Sequence, residues 1–217
     1  MRLKLLYIFI LFLGCDTSNE GLDLNLQIKG LKKGEIIIKK LSDSAFVSLD
    51  SIQVNGNNNI NFKYILAEPE MIFLDLNLND GSETKTTNFF AENSKIDIET
   101  SLENYGFNIS VKGSINDSIY RDYISLNKKF NNQKLDLYER SFKNVKSNNN
   151  DSLKIIENLI VNINTRQFLH NANYAVRNSN YEVAPYIAIT DLYESKKILD
   201  TIYTVSYTHL TLPTRIF

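Results

Sequence analysis

Leu22-Asp-Leu-Asn-Leu-Gln-Ile-Lys29 decides the fold. Leu22, Leu24, Leu26 and Ile28 point one way, and Asp23, Asn25, Gln27 and Lys29 the other. A period of two with a polar opposite face predicts a strand with one buried side, and sheets of such strands are antiparallel as a rule. The period recurs at Ile60, Phe62 and Tyr64, at Ile72, Leu74, Leu76 and Leu78, at Ile96 and Ile98, and at Phe107, Ile109 and Val111. Gly34-Glu-Ile-Ile-Ile38 begins a further strand, Phe46 to Val54 gives another, and Thr84 to Ala91 a less regular one. Lys33-Gly34, Asn55-Gly56 and Asp80-Gly81 are read as turn dipeptides between these runs. Residues 22–113 are therefore expected to form an antiparallel β-sandwich or open barrel.

After Gly113 the period changes. Ile119, Tyr123, Leu126 and Phe130 fall at helical spacing behind Asn116 and Asp117, which are candidate caps. Leu135 to Val145 is expected to form a second helix, and Asn148-Asn-Asn150 a break. Asp151 or Ser152 then starts a longer helix with Leu153, Ile156, Ile160 and Ile163 on one face. Pro185 suits the first turn of another, with Ala188, Ile189, Leu192 and Tyr193 as its apolar stripe. The class is thus α+β, with a helical region over residues 114–204.

The chain has 217 residues, 43% of them hydrophobic, which is enough to bury a real core. A formal net charge of −1 with scattered Lys and Arg argues against a nucleic-acid partner. Cys15 is the single cysteine, so no internal disulfide, zinc cluster or C-x-x-C pair can form.

The N-terminus reads as an address. Arg2 and Lys4 precede an unbroken apolar run, Leu5 to Leu13, and Gly14-Cys15 follows at once. This is the pattern of a secretory signal over residues 1–14, and the run is about half the ~20 residues that span a bilayer. The small residue before a lone cysteine resembles the lipobox of bacterial lipoproteins, with Phe12 in place of the usual Leu. That resemblance implies acylation of Cys15, a tether over residues 15–21, a lipid bilayer as partner and a location in the cell envelope, in the periplasm or at the surface. At the other end, Val205-Ser-Tyr-Thr-His-Leu-Thr-Leu-Pro-Thr214 back-translates into a string resembling a transposon mosaic end and sequencing adapter. Val205–Phe217 is accordingly expected to be an assembly scar, and His209 is not read as a ligand.

Catalytic, metal and cofactor residues are not found. His170 continues the stripe from Ile163 towards Tyr174 and reads as structural, since one imidazole rarely makes a metal site. Asp75-Leu-Asn-Leu-Asn-Asp80-Gly81 only faintly resembles a calcium loop: its Gly falls one place late, and Thr86 stands where the bidentate acid should be. Asp97 and Glu99 alternate on a polar strand face and read as solvated. Most tyrosines lie between Tyr120 and Tyr207, on apolar stripes that favour packing over a glycan or peptide surface.

The order of segments carries a resemblance. Its residues are Leu24-Asn-Leu-Gln-Ile-Lys-Gly30-Leu, Gly34-Glu-Ile-Ile-Ile-Lys-Lys40, Ser48-Leu-Asp-Ser-Ile-Gln-Val-Asn-Gly56, Ile60-Asn-Phe62, Glu68-Pro-Glu70, Ile96-Asp-Ile98 and Val111-Lys-Gly113-Ser. They resemble domain-of-unknown-function family 4369, the β-rich N-terminal domain of bacterial lipoproteins that usually end in a thioredoxin-like domain of AhpC/TSA or ResA type. Glu182-Val-Ala-Pro-Tyr-Ile-Ala188 looks like the helical spacer before that domain. The resemblance implies a non-catalytic module, scaffolding or dimerising (with itself as homodimer partner) for a thiol–disulfide oxidoreductase domain that this sequence lacks. The alternative is a stand-alone surface lipoprotein binding glycan or another ligand.

Overall fold

The computed structural model describes residues 21–42, 45–56, 59–147 and 149–193. The expected signal segment and Cys15, and the adapter-like tail with His209, lie outside the described residues. Among those described, eight strands come first: β1 (Leu22–Lys29), β2 (Lys33–Ser42), β3 (Ala45–Asn55), β4 (Asn59–Tyr64), β5 (Glu70–Asn77), β6 (Lys85–Ala91), β7 (Lys95–Ser101) and β8 (Ser110–Lys112). Helices α1 (Ile115–Lys146), α2 (Asn150–Arg177) and α3 (Val183–Asp191) follow. The class is α+β, and the strands form a sandwich rather than a closed barrel.

The strands make two four-stranded sheets, ordered β4-β1-β7-β8 and β3-β2-β5-β6. Alternation does what the sequence promised. Leu24, Leu26 and Ile28 of β1 and Ile96 and Ile98 of β7 are fully buried, and meet Ile36, Ile38, Leu74, Leu76 and Phe89 of the other sheet in one apolar cluster. Tyr105 joins them, its hydroxyl donating to the Leu74 carbonyl at 3.0 Å. The opposite faces carry separate polar pairs, such as Asn25 donating to Asp97 at 3.0 Å.

One pairing departs from expectation. β1 and β7 run parallel, in register from Asp23 opposite Lys95 to Lys29 opposite Ser101. Alternation fixes which face of a strand is buried but not which strand lies beside it. The other pairings are antiparallel.

Smaller expectations are corrected too. Lys33-Gly34 is not a turn but the start of β2, and the reversal falls at residues 30–32. Phe107 lies in the turn before β8 and is 90% exposed, so the alternation with Ile109 and Val111 is not a strand at that end. Asn116 and Asp117 do not cap α1. Ser114 does, its hydroxyl accepting from the Asp117 N–H. Helix α1 runs unbroken for 32 residues, so Leu135–Val145 is its second half rather than a new helix. On α3 the buried face is Val183, Ala184, Pro185, Ile187 and Ala188, leaving Ile189 and Tyr193 outward.

Helix α1 would measure about 48 Å at 1.5 Å per residue. With α2 it forms a hairpin whose far part has its own small core of Leu137, Ile156 and Ile163, flanked by Phe130 and Ile160. No helix among the described residues is long and apolar enough to cross a membrane.

Candidate functional site

The second sheet ends at β6, whose outer edge would expose unpaired backbone groups. The start of α1 covers that edge. Ser114 donates its hydroxyl to the Phe90 carbonyl at 2.8 Å, and the Phe90 N–H donates to Asp117 Oδ1 at 2.9 Å. Arg121 donates to the Asn88 carbonyl and, through Nε at 3.1 Å, to Asp117 Oδ2. The helix thus stands in for a ninth strand over two residues of β6. Asp117 is 1% exposed, and its bond to the Phe90 N–H satisfies a donor that would otherwise be buried unpaired.

Asn116 ties in the third helix. Its Nδ2 donates to Glu92 Oε2 and to Glu182 Oε2, each at 2.9 Å, and its Oδ1 accepts from the Val183 N–H at 3.0 Å. Glu92 also accepts from the Ile115 N–H at 2.9 Å, placing a carboxylate where the helix N-terminus favours negative charge. Apolar contact reinforces the joint. Phe90 and Met71 point away from the sandwich core and pack with Tyr123, Ala175, Val183, Ile187 and Leu192.

Beside the joint, α1 and α3 frame an open cleft of about 390 Å³ lined by Tyr120, Tyr123, Asn127, Lys128, Tyr186 and Asp191 among others. Tyr123 donates its hydroxyl to Asp191. The tyrosines largely pack on one another: Tyr186 meets Phe90 and Tyr120 edge to face at 5.8 and 5.7 Å, and Tyr123 tilts against Tyr174 at 5.4 Å. Burial drives the hydroxyls of Tyr105, Tyr120 and Tyr186 above the ordinary tyrosine value of 10.0. The same holds for Tyr123, where Asp191 adds to the effect, and for Tyr174, pushed up to about 12 by burial and by Asp122.

Those shifts have a consequence for stability. Below about pH 10 folded and unfolded chains both keep these protons, and the contribution is whole. Above it the unfolded chain releases protons that the folded chain retains, so stability falls as pH rises through the folded values. The thermal midpoint is expected to be level from about pH 7 to 9 and to drop steeply above about 10. A midpoint that stays level to about pH 12 would show these hydroxyls to be solvated instead.

The residues singled out in the sequence are not brought together. His170 packs its ring on Phe130 and Tyr174 at 5.6 and 6.0 Å, and its Nε2 makes no hydrogen bond among the described residues. Asp75 pairs with Lys39 and accepts from Thr86 at 2.7 Å, whereas Asp80 accepts from the Ser82 N–H, so the loop's acids face different partners. Glu99 pairs with Lys112 at 3.7 Å on the solvent face. No group of three or more His, Cys, Asp or Glu among the described residues is arranged to hold a metal ion. Sequence reasoning missed the joint itself. Ser114-x-x-Asp117 is a capping pattern at the right place, but its bonds to β6 are long-range and leave no local mark.

Residues 22–120 match the family described as Domain of unknown function (DUF4369). The match runs past β8 into α1, so the joint at Ser114 and Asp117 falls inside the matched unit. No curated protein matches the chain. Among solved structures, sea bream transthyretin in complex with thyroxine is similar at 10% identity and a TM-score of 0.32, over 43% of this chain and 93% of that one.

Proposed function

We propose that this chain, whose residues 22–120 match the DUF4369 family, is the non-catalytic N-terminal module of an envelope lipoprotein, held to the bilayer through acylated Cys15, which scaffolds and dimerises a thioredoxin-like domain. The observation that carries it is the joint. Asp117 and Ser114 fasten a long helical hairpin to a sheet edge through buried hydrogen bonds, and Asn116 ties α3 to the same joint. Such a joint holds an arm at a set angle to the sandwich, which suits a spacer between a membrane tether and a partner domain. The glycan-binding alternative finds aromatic rings in the tyrosine cleft, but there they are packed edge to face against one another.

The test has two arms. Cells expressing the chain with radiolabelled palmitate should label the protein, and Cys15→Ser should abolish the label. Sequencing the locus across codon 204 should show a continuing frame with a thioredoxin-type cysteine pair. An unlabelled protein, or a stop codon at that point, sinks the corresponding half of the proposal.

A further inference from the structure

Deepening the scaffold reading, and resting on it, we propose that the far half of α1 is a self-association seam on which a second copy of this chain docks in parallel. Leu135, Tyr138, Phe142 and Val145 are 68, 46, 71 and 55% exposed. They are spaced three, four and three residues apart, the narrow a/d pattern of a coiled-coil seam. They do not belong to the hairpin's own core, which uses Leu137 and Phe130 on another side of the helix. Nearer the sandwich the same α1 face carries Tyr120, Ile124, Lys128 and Asn131, and there α3 lines it with Tyr186 and Asp191. Ile124, Lys128 and Asn131 are exposed there too, but the continuous apolar stripe begins only at Leu135.

Area and charge favour a second copy as the occupant. At these exposures the four side chains leave about 400 Å² of apolar surface, taking ~200 Å² for an aromatic and somewhat less for an aliphatic side chain. A stable interface covers about 800 Å² per partner, a little over half of it apolar, so the stripe supplies the apolar share of one side. Lone apolar residues need no partner; a stripe of this size is comparable to the largest apolar patch of an ordinary monomer, which is often functional. Charge selects the orientation. With Leu135 and Phe142 at a, Lys134 falls at g and Glu139 at e. In a parallel pair Lys134 of one copy faces Glu139 of the second, twice over, whereas an antiparallel pair sets Glu139 against Glu139. Lys134 bonds to Gln167 at 2.8 Å and Glu139 to Lys143 at 2.7 Å, yet an ammonium and a carboxylate each keep capacity for a further bond.

The full chain in density-matched detergent, followed by sedimentation, is expected to dimerise with an affinity in roughly the micromolar range. Leu135→Glu with Phe142→Glu should weaken the dimer by roughly 100-fold or more while leaving the thermal midpoint of dilute protein within a few degrees, because both sites are exposed. Phe107→Glu, exposed on the sandwich, should leave the dimer intact. Lys134→Glu should weaken it, and adding Glu139→Lys to that chain should restore it. A wild type that stays monomeric, a doubly charged variant that still dimerises, or a charge swap that fails to restore binding overturns the proposal. A monomer whose Tyr138 is nonetheless shielded from surface labelling would assign the seam to the chain beyond Tyr193, and overturns it as well. A monomer that still takes palmitate on Cys15 removes this seam but leaves the envelope reading standing.

Discussion

Replacing Asp117 with Ala is expected to lower stability by about 3 kcal/mol, the cost of removing one partner from a buried charge pair, set at the low end because Arg121 keeps some solvent contact. Two groups lose their acceptor at once, the Phe90 N–H and the Nε of Arg121, while Arg121 Nη2 loses one of its two and keeps the Asn88 carbonyl. The Phe90 N–H is the costliest, because it faces the helix across the β6 edge and has no water to turn to. For a domain of this size the thermal midpoint should fall by roughly 6–12 °C. Asp117→Asn keeps an acceptor for Phe90 and loses only the charge opposite Arg121, so its effect should be less than half as large. Ser114→Ala removes both the helix cap and the donor to the Phe90 carbonyl, about 1–2 kcal/mol. Ser114 and Asp117 hold the N–H and C=O of the same residue, so the double variant should lose less than the sum of the two. If Asp117→Ala melts within a degree or two of the parent, the joint is solvated and the helical arm is not fixed to the sheet.

What could and could not be seen in the sequence follows from how many sides of each element are buried. β1 was legible because one face meets the core and the other meets water. β6 was read as a strand but an irregular one, because Phe89 enters the sandwich while the adjacent Phe90 packs on the helices, and burial on both faces erases the alternation. Helix α1 was read as two because Asn131-Asn132-Gln133-Lys134 interrupts its apolar spacing. Those polar residues are not a break but part of the seam with α2, where Gln167 donates to Asn127 at 2.7 Å and accepts from Lys134. The parallel β1–β7 pair lay beyond any local signal, since turn dipeptides announce only hairpins. The joint was half legible. Asn116 and Asp117 were picked out as polar residues at a helix start, but their partners, Phe90, Glu92 and Val183, are 24 or more residues away in sequence.

The backbone step just before the joint should be even less forgiving than Asp117. Gly113 links β8 to α1 with φ at +97°, a region that side chains on L-residues rarely occupy. A Cβ there would sit 2.0 Å from the Lys95 carbonyl oxygen and 3.1 Å from its carbon, both backbone atoms of the neighbouring β7. Neither can swing aside as a side-chain tip would. Lys95 is held opposite Asp23 of β1, and the neighbouring Ser94 accepts from the Asp23 N–H at 3.0 Å. The link must therefore move away from β7, and it carries Ser114 with it. The cap and the bond to the Phe90 carbonyl then fall out of reach together, so the strain of the turn and the loss of the joint are not separate penalties. Gly113→Ala is expected to cost about 4 kcal/mol or more, with soluble yield falling as well. Gly56 provides the comparison. Its φ is +80° and nothing lies within 4 Å of its added Cβ, so Gly56→Ala should cost only the conformational term, about 1 kcal/mol. Urea unfolding of the two variants separates strain from collision. Equal midpoints would mean that β7 yields to the new methyl group, and that the angle between sandwich and arm is softer than the close approach of Gly113 to Lys95 implies.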